Sequence, residues 1–274
     1  MKLKQAKSFL CGMSKYLAAY TFSVKEVFYY PRKLQVTAII VPFRILIMLV
    51  IYSYAFQYLG TTINGIDAKI AVWSIAVYHI LLFTQFRGIF KTINEEIRRG
   101  HLDTQLNKPY HYLIYKFWEQ LGKGLPNFIV GVITVVPLLY MLTGGFPHIS
   151  LFGFLSALVL IIGGTLVSAA VYILIVLPAL WIDDAVPLYW VVDKAILILG
   201  GSYIPLVLLP PPFQLFANLT PFGAPMFATQ MFNPGFSSYW AGLLLTQIAW
   251  IGILLLLIYS VFSAARKRLS INGG

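Results

Sequence analysis

Long apolar stretches separated by polar or proline-rich segments set the pattern of this chain. A helical span of a bilayer needs about 20 apolar residues. On that measure we read six spans, at residues 36–58, 70–86, 125–142, 149–181, 187–209 and 239–262. The second is short. The fourth is longer than one vertical crossing requires, which predicts tilt or extension past the interface. The runs are continuous and do not alternate over about ten residues, so they predict helices and not barrel strands. The expected fold is an all-α integral membrane protein, with residues 1–35 as an amphipathic segment and 36–274 as a six-span domain.

Two segments between or before the spans carry their own signals. Ahead of Val36, the residues Phe9, Leu10, Met13, Tyr16, Leu17, Tyr20, Val24 and Val27 recur at three- and four-residue spacing, with Lys7, Ser14, Lys15 and Lys25 between them. This predicts a helix lying in the inner headgroup layer, its apolar face toward acyl chains and its lysines toward anionic lipid. The alternative is a helix docked on a cytoplasmic partner. A signal peptide is not expected, because no apolar core precedes Val36. The segment 205–235 holds seven prolines from Pro205 to Pro234, interleaved with Phe213, Leu215, Phe216, Phe222, Met226 and Phe227. Proline prevents one continuous helix. The apolar residues argue against a free aqueous loop. Two short half-inserted helices on the outer side fit both facts, provided protein covers their broken backbone.

Composition sharpens the membrane reading. The chain is 59% hydrophobic and 11% charged, against about 45–50% and about 25% for soluble domains. Disorder and a disulfide-built fold are excluded, the latter because Cys11 is the only cysteine. A net charge of +11 over 274 residues would suit nucleic acid, but its placement does not. Seven of the 20 basic residues precede the first span, seven lie between Arg87 and Lys123, and Arg266, Lys267 and Arg268 follow the last span. With both termini inside, the outer loops keep only Lys69. This is the distribution of cytoplasmic ends and loops.

Reactive groups are sparse. HExxH, GxSxG and the phosphate-binding G-x-x-x-x-G-K-[ST] are absent, and His79, His101, His111 and His148 lack metal-ligand spacing. No catalytic, cofactor-binding or metal-ligating residues are therefore assigned. Arg44 falls in the first span, where a charge costs about 2.5–3.5 kcal/mol on insertion scales. The preferred reading has it snorkelling to inner headgroups; the alternative has it lining a polar cavity or meeting an acidic partner. Asp183 and Asp184 sit at the inner end of the fourth span. Asp193 and Lys194 are adjacent on a helix, about 100° apart, and so are poor partners for each other. The pairs Gly163–Gly164 and Gly200–Gly201 suit close helix approach, of which a dimer seam is one case, or hinges.

The polar loop 87–123 is the most informative region. Ile89, Ile93 and Ile97 form a four-residue apolar row that Leu102 and Leu106 continue past Gly100. This predicts an amphipathic helix broken at Gly100. Its apolar face needs a surface, either the chain's own inner helix ends or a separate cytoplasmic subunit.

The string Glu95-Glu96-Ile97-Arg98-Arg99-Gly100-His101-Leu102-Asp103-Thr104-Gln105-Leu106-Asn107-Lys108-Pro109 resembles the cytoplasmic motif of type-2 ABC exporter permeases. Gly100, Leu102, Asp103, Leu106 and Pro109 occupy the motif's places, between spans two and three as in that family. The stretch Gly200-Gly201-Ser202-Tyr203-Ile204-Pro205 through Pro210, and Gly273-Gly274 after Arg266-Lys267-Arg268, are similar to its span-five exit and its tail. His101 departs from the small or acidic residue common there.

The resemblance implies a transmembrane subunit that dimerises, as homodimer or heterodimer, and binds two separate ATPase subunits carrying ATP and Mg. The chain itself would be neither an enzyme nor a cofactor holder. The segment after span two would be the coupling helix, with Ile93, Glu96, Arg99, Gly100, Leu102, Asp103, Leu106 and Pro109 as its candidate ATPase-coupling residues. The N-terminal helix would be the interfacial connecting helix, and the outer hairpin would cap the pathway. The expected function is export of a hydrophobic or amphipathic substrate across a prokaryotic inner membrane, with lipid but not nucleic acid among its partners. The competing readings are a stand-alone channel or ion-coupled carrier, an intramembrane enzyme acting on lipid, and a non-transporting assembly or immunity factor.

Overall fold

The computed structural model describes residues 2–60, 62–84, 86–182 and 184–272; the side chains of residues 2–12, 84, 103 and 266–272 lie outside that description. Among the described residues the fold is helical, with only an isolated bridge between Ile63 and Ile66. In chain order the α-helices are α1 (Lys2–Tyr29), α2 (Arg32–Leu59), α3 (Ala68–Leu81), α4 (Arg87–Arg98), α5 (Leu102–Leu106), α6 (Tyr112–Thr143), α7 (Leu151–Val176), α8 (Val186–Leu199), α9 (Pro211–Leu219) and α10 (Phe236–Asn272). Four are long and apolar enough to cross a membrane: α2, α6, α7 with its 3₁₀ extension to Leu180, and α10 to Ala265. They are compatible with a multi-pass membrane protein.

Expected spans two and five form shorter helices. α3 and α8 have 14 residues each, about 21 Å at 1.5 Å per residue. That falls short of a hydrocarbon core of about 30 Å. α3 starts where the Asp67 carboxylate accepts the Ile70 amide at 2.8 Å and runs on into a 3₁₀ turn at Leu82–Thr84. α8 stops at Leu199, not Leu209, because Gly201 takes φ +83° and Pro205 follows.

α7 is the centre of the bundle. It packs along α10, α4 and the outer hairpin, and its small residues let the neighbours approach closely. A Cβ on Gly163 would lie 2.2 Å from Gln247 Oε1 of α10, and one on Gly164 would lie 2.5 Å from the Pro225 carbonyl. Gly163 and Gly164 therefore serve the close approach expected of small residues, here between elements of the same chain. Gln247 is fully buried and donates to the carbonyls of Leu160 and Ala224 at 3.0 and 2.8 Å.

The proline-rich segment 205–235 forms a 3₁₀ turn at Leu206–Leu208, then α9 and a 3₁₀ helix over Ala224–Phe232. The Ala224–Phe232 piece is buried against α7 and α3. α9 exposes Phe213, Leu215, Phe216 and Leu219.

α1 lies along the first half of α6. The approach is close at Gly122, where a Cβ would sit 2.5 Å from the Tyr20 carbonyl. The expected apolar face of α1 divides in two. Tyr16, Ala19, Tyr20, Ser23 and Val27 turn toward α6, while Met13, Leu17 and Phe28 form an exposed apolar strip beside them. Phe9 and Leu10 lie outside the described side chains. Lys15 donates to the Pro109 carbonyl at 2.9 Å, and Tyr16 accepts the His111 amide at 3.0 Å. The basic N-terminal segment and the basic loop thus share one end of the molecule.

Candidate functional site

The loop at that end folds as the sequence pattern predicts. α4 terminates in paired bonds, His101 N–H to Glu96 C=O at 2.9 Å and Gly100 N–H to Ile97 C=O at 3.0 Å. These require a left-handed residue between them, and Gly100 supplies it at φ +70°. α5 follows at once.

The faces of this unit settle which surface the apolar row meets. Ile89, Phe90 and Ile93 are buried in the main core, Leu102 with them, and Ile97 and Leu106 pack on its edge. The row rests on the chain's own helices. Glu96 also turns inward. Its Oε1 accepts from Lys116 Nζ at 2.6 Å and its Oε2 from the Tyr112 hydroxyl. Lys116 Nζ donates as well to Glu119 Oε2 at 3.1 Å, and Lys123 Nζ joins Glu119 at 2.7 Å and Glu26 at 3.7 Å. The result is a chain of alternating charges from α4 through the start of α6 to α1. Of the expected coupling residues, Arg99, Gly100 and Pro109 are exposed. Among the described residues Arg99 pairs with Glu95, at 3.6 Å. Ile93, Glu96 and Leu102 face the protein, and the Asp103 side chain lies outside the described residues. The exposed charged rim is Lys91, Glu95, Arg98, Arg99, His101 and Lys108, a predominantly basic surface at the tip of a well-anchored helix.

A second polar constellation lies inside the bundle, where sequence reasoning had left Asp193 without a partner. Asp193 of α8 is 3% exposed. Arg87 Nε, at the start of α4, sits 2.7 Å from its Oδ1, and the Tyr172 hydroxyl of α7 donates to the same oxygen at 2.8 Å. A buried acid needs a cation, and Arg87 is the first base after the second apolar run; that is the signal that could have found the pair. Lys194 points elsewhere and lies 5.2 Å from the Trp190 ring centroid, as the 100° offset requires.

Next to this pair is a cavity of about 190 Å³ whose polar wall is Arg44, Tyr78, His79, Arg87, Ser202 and Tyr203. Arg44 is exposed on α2 and borders this cavity. It stands twelve residues into α2, about 18 Å along the helix. His79 is 4% exposed and its Nδ1 is 2.9 Å from the Ile75 carbonyl. A carbonyl only accepts, so Nδ1 carries the proton. Arg87 Nε and Nη2 are buried and pair with Asp193 by charge, and the Tyr78 hydroxyl is buried against Ser202. Asp184 accepts the Val186 amide at 2.9 Å; Asp183 and the closing glycines 273 and 274 lie outside the described residues. Among the described residues, no group of three or more His, Cys, Asp or Glu side chains could hold a metal.

Neither a protein-family model nor a curated protein sequence matches the chain.

Proposed function

We propose that this chain is the transmembrane permease subunit of an ATP-driven exporter of the type-2 ABC kind, dimeric and coupled to two separate ATPase subunits. The observation that carries the reading is the α4–α5 unit. It is an amphipathic helix broken by a left-handed glycine, it stands at the basic end, and its polar rim points away from the bundle. A partner that pushes this rim meets no free hinge. Ile89, Phe90 and Ile93 are locked in the core and Glu96 is tied to α6 through Lys116, so displacement passes into α6 and α7. Nucleotide-driven closure of the ATPases would bias the bundle between inward and outward access as a two-state element.

The partners would carry the ATP and Mg. Docking rests on the exposed basic rim and not on the isoleucine row. Arg99, Gly100 and Pro109 keep a direct contact role, while Ile93, Glu96 and Leu102 hold the unit in place. The six-span layout takes α3 and α8 as the two short crossings, with both termini on the cytoplasmic side of a prokaryotic inner membrane. The concentration of basic residues at one end supports that orientation.

The test is purification of the tagged chain from native membranes in mild detergent, followed by mass spectrometry and an ATPase assay. Co-purification of a subunit bearing a phosphate-binding loop, with vanadate-sensitive hydrolysis that Arg98→Glu plus Arg99→Glu removes, supports the reading. Recovery of the chain alone, under conditions that preserve other such complexes, moves the function to a stand-alone channel or carrier.

A further inference from the structure

A groove of about 560 Å³ runs down the flank of the bundle, between the start of α6 and the later half of α10. α7 forms its floor, where Ala169 and Ala170 leave a notch that larger side chains would fill. Phe117 and Trp118 stand on one side, Leu255 and Phe262 on the other. The lining is aliphatic or aromatic apart from His111. The rings of His111 and Phe262, 6.5 Å apart, form the lip at one end.

Length and volume narrow the occupant. From Ile251 to Phe262 the groove follows α10 for about 16 Å. That is half of a hydrocarbon core of about 30 Å, the depth of one leaflet. The volume lies within the roughly 300–1,000 Å³ of pockets that enclose a whole small ligand. One extended acyl chain matches both. Charge narrows it further, because the lip stands at the basic end of the molecule. Lys15 Nζ lies 2.9 Å from the carbonyl of Pro109, two residues before His111, and Lys15 and Lys108 are exposed there. α10 continues past Phe262, with Arg266, Lys267 and Arg268 in the turns that follow. The acids Glu96 and Glu119 are spent on Lys116 and Lys123. An apolar slot one leaflet deep, with cations at its polar end, complements the chain and the phosphate of an anionic lipid.

We infer that this groove binds one anionic phospholipid of the bilayer, an acyl chain over Ala169 and Ala170 and the phosphate against Lys15 and His111. The site rests on α6, α7 and α10 crossing the membrane and not on the exporter reading. The orientation proposed above makes its leaflet the inner one.

The experiment uses the full chain in phosphatidylcholine nanodiscs that carry a minor fraction of lipid brominated in its acyl chains. Bromine quenches nearby tryptophan, and the Trp118 signal is the difference between wild type and Trp118→Phe. Nanodiscs offer the same lipids to both leaflets, so the result is independent of the orientation of the chain. Brominated phosphatidylglycerol is expected to quench Trp118 saturably, at a mole fraction about tenfold or more below that needed of brominated phosphatidylcholine. Lys15→Gln should reduce this preference about fivefold, the share of one base near anionic lipid. Leu255→Phe adds bulk to the groove at a position 55% exposed and should abolish the preference with the fold intact. Native mass spectrometry gives a second readout if Trp118→Phe does not fold: phosphatidylglycerol should stay on wild type and leave Leu255→Phe. Equal quenching by the two lipids overturns the site, since any bilayer lipid then fills the groove. A preference that survives either substitution overturns it as well. Quenching by neither lipid overturns it in favour of a protein surface, such as a second copy, covering the groove.

Discussion

Lys116→Met tests the charge chain that fixes α4 to α6. The Lys116 side chain is 7% exposed, and its ammonium lies 2.6 Å from Glu96 and 3.1 Å from Glu119, whose side chains are 17% and 19% exposed. Methionine keeps the length and apolar stem but removes both bonds and leaves two acids facing each other. Hydrogen bonds to charged groups contribute about 1.5–3 kcal/mol each, so two come to roughly 3–6 kcal/mol. The measured cost of breaking one partner out of a buried pair, about 3–5 kcal/mol, falls in the same range. At about 2–4 °C per kcal/mol, apparent melting in detergent should fall by roughly 6–20 °C. The assay is differential scanning fluorimetry of the purified chain. Adding Glu96→Gln should recover more than half of the loss, because the orphaned acid becomes neutral while Glu119 keeps Lys123 at 2.7 Å. Arg99→Met is the control: its side chain is 68% exposed and its ion pair to Glu95 is long, so melting should move by no more than about 2 °C. A Lys116→Met loss as small as that of Arg99→Met, or no recovery in the double variant, would refute the argument.

Four further outcomes follow from the same geometry. Gly163→Ala drives a methyl to 2.2 Å from Gln247 Oε1 and should cost about 1–3 kcal/mol as overpacking, with Gln247→Ala in the same chain relieving part of it; chemical denaturation measures both. Asp193→Asn leaves Arg87 unpaired and should destabilise by about 3–5 kcal/mol, whereas Arg87→Met with Asp193→Leu should lie close to wild type; thermal melting separates the two. Cysteines introduced at Lys69 and at Lys108, in a chain with Cys11→Ser, should be labelled by an impermeant maleimide from outside and from inside respectively, and the opposite pattern reverses the topology. Arg98→Glu with Arg99→Glu should leave melting within about 0.5 kcal/mol of wild type, since both side chains are exposed, while ATPase recovery in the purification falls.

The helical class, the break at Gly100 and the interruption of the proline-rich segment 205–235 were legible because each rests on local chemistry. Apolar run length, a left-handed glycine and proline density act within a few residues. What escaped was direction. Ile93 and Leu102 were expected at a partner's surface, but an apolar row states only that it will be covered, not by what. Glu96 reads in sequence as one more loop charge, and only the fold brings Lys116 and Tyr112 against it from the next helix. Asp193 and Arg87 are more than a hundred residues apart, so no spacing rule links them. The end of α8 at Leu199 was missed because the apolar run continues to Leu209, while Gly201 and Pro205 interrupt the backbone beneath it. Gly163 and Gly164 looked like devices for a dimer because small residues on a helix give no clue whether the close neighbour belongs to the same chain.

The unequal burial of the long helices has a consequence for how this sequence can drift. Buried positions make up 61% of the most apolar stretch of α7 but 22% of those of α2 and α10. The outward faces of α2 and α10 are read by their surroundings only as apolar, so Ile39, Val50, Leu245 or Leu256 can exchange among large aliphatics at almost no energetic cost. α7 has no such freedom: Gly163 must stay small while Gln247 is there, and Gly164 while the Pro225 carbonyl rests on it. Two descendants of one ancestral chain could thus diverge along α2 and α10 beyond pairwise detection and still superimpose. The lineage would be traceable in a handful of linked positions around α7, substituted together or not at all.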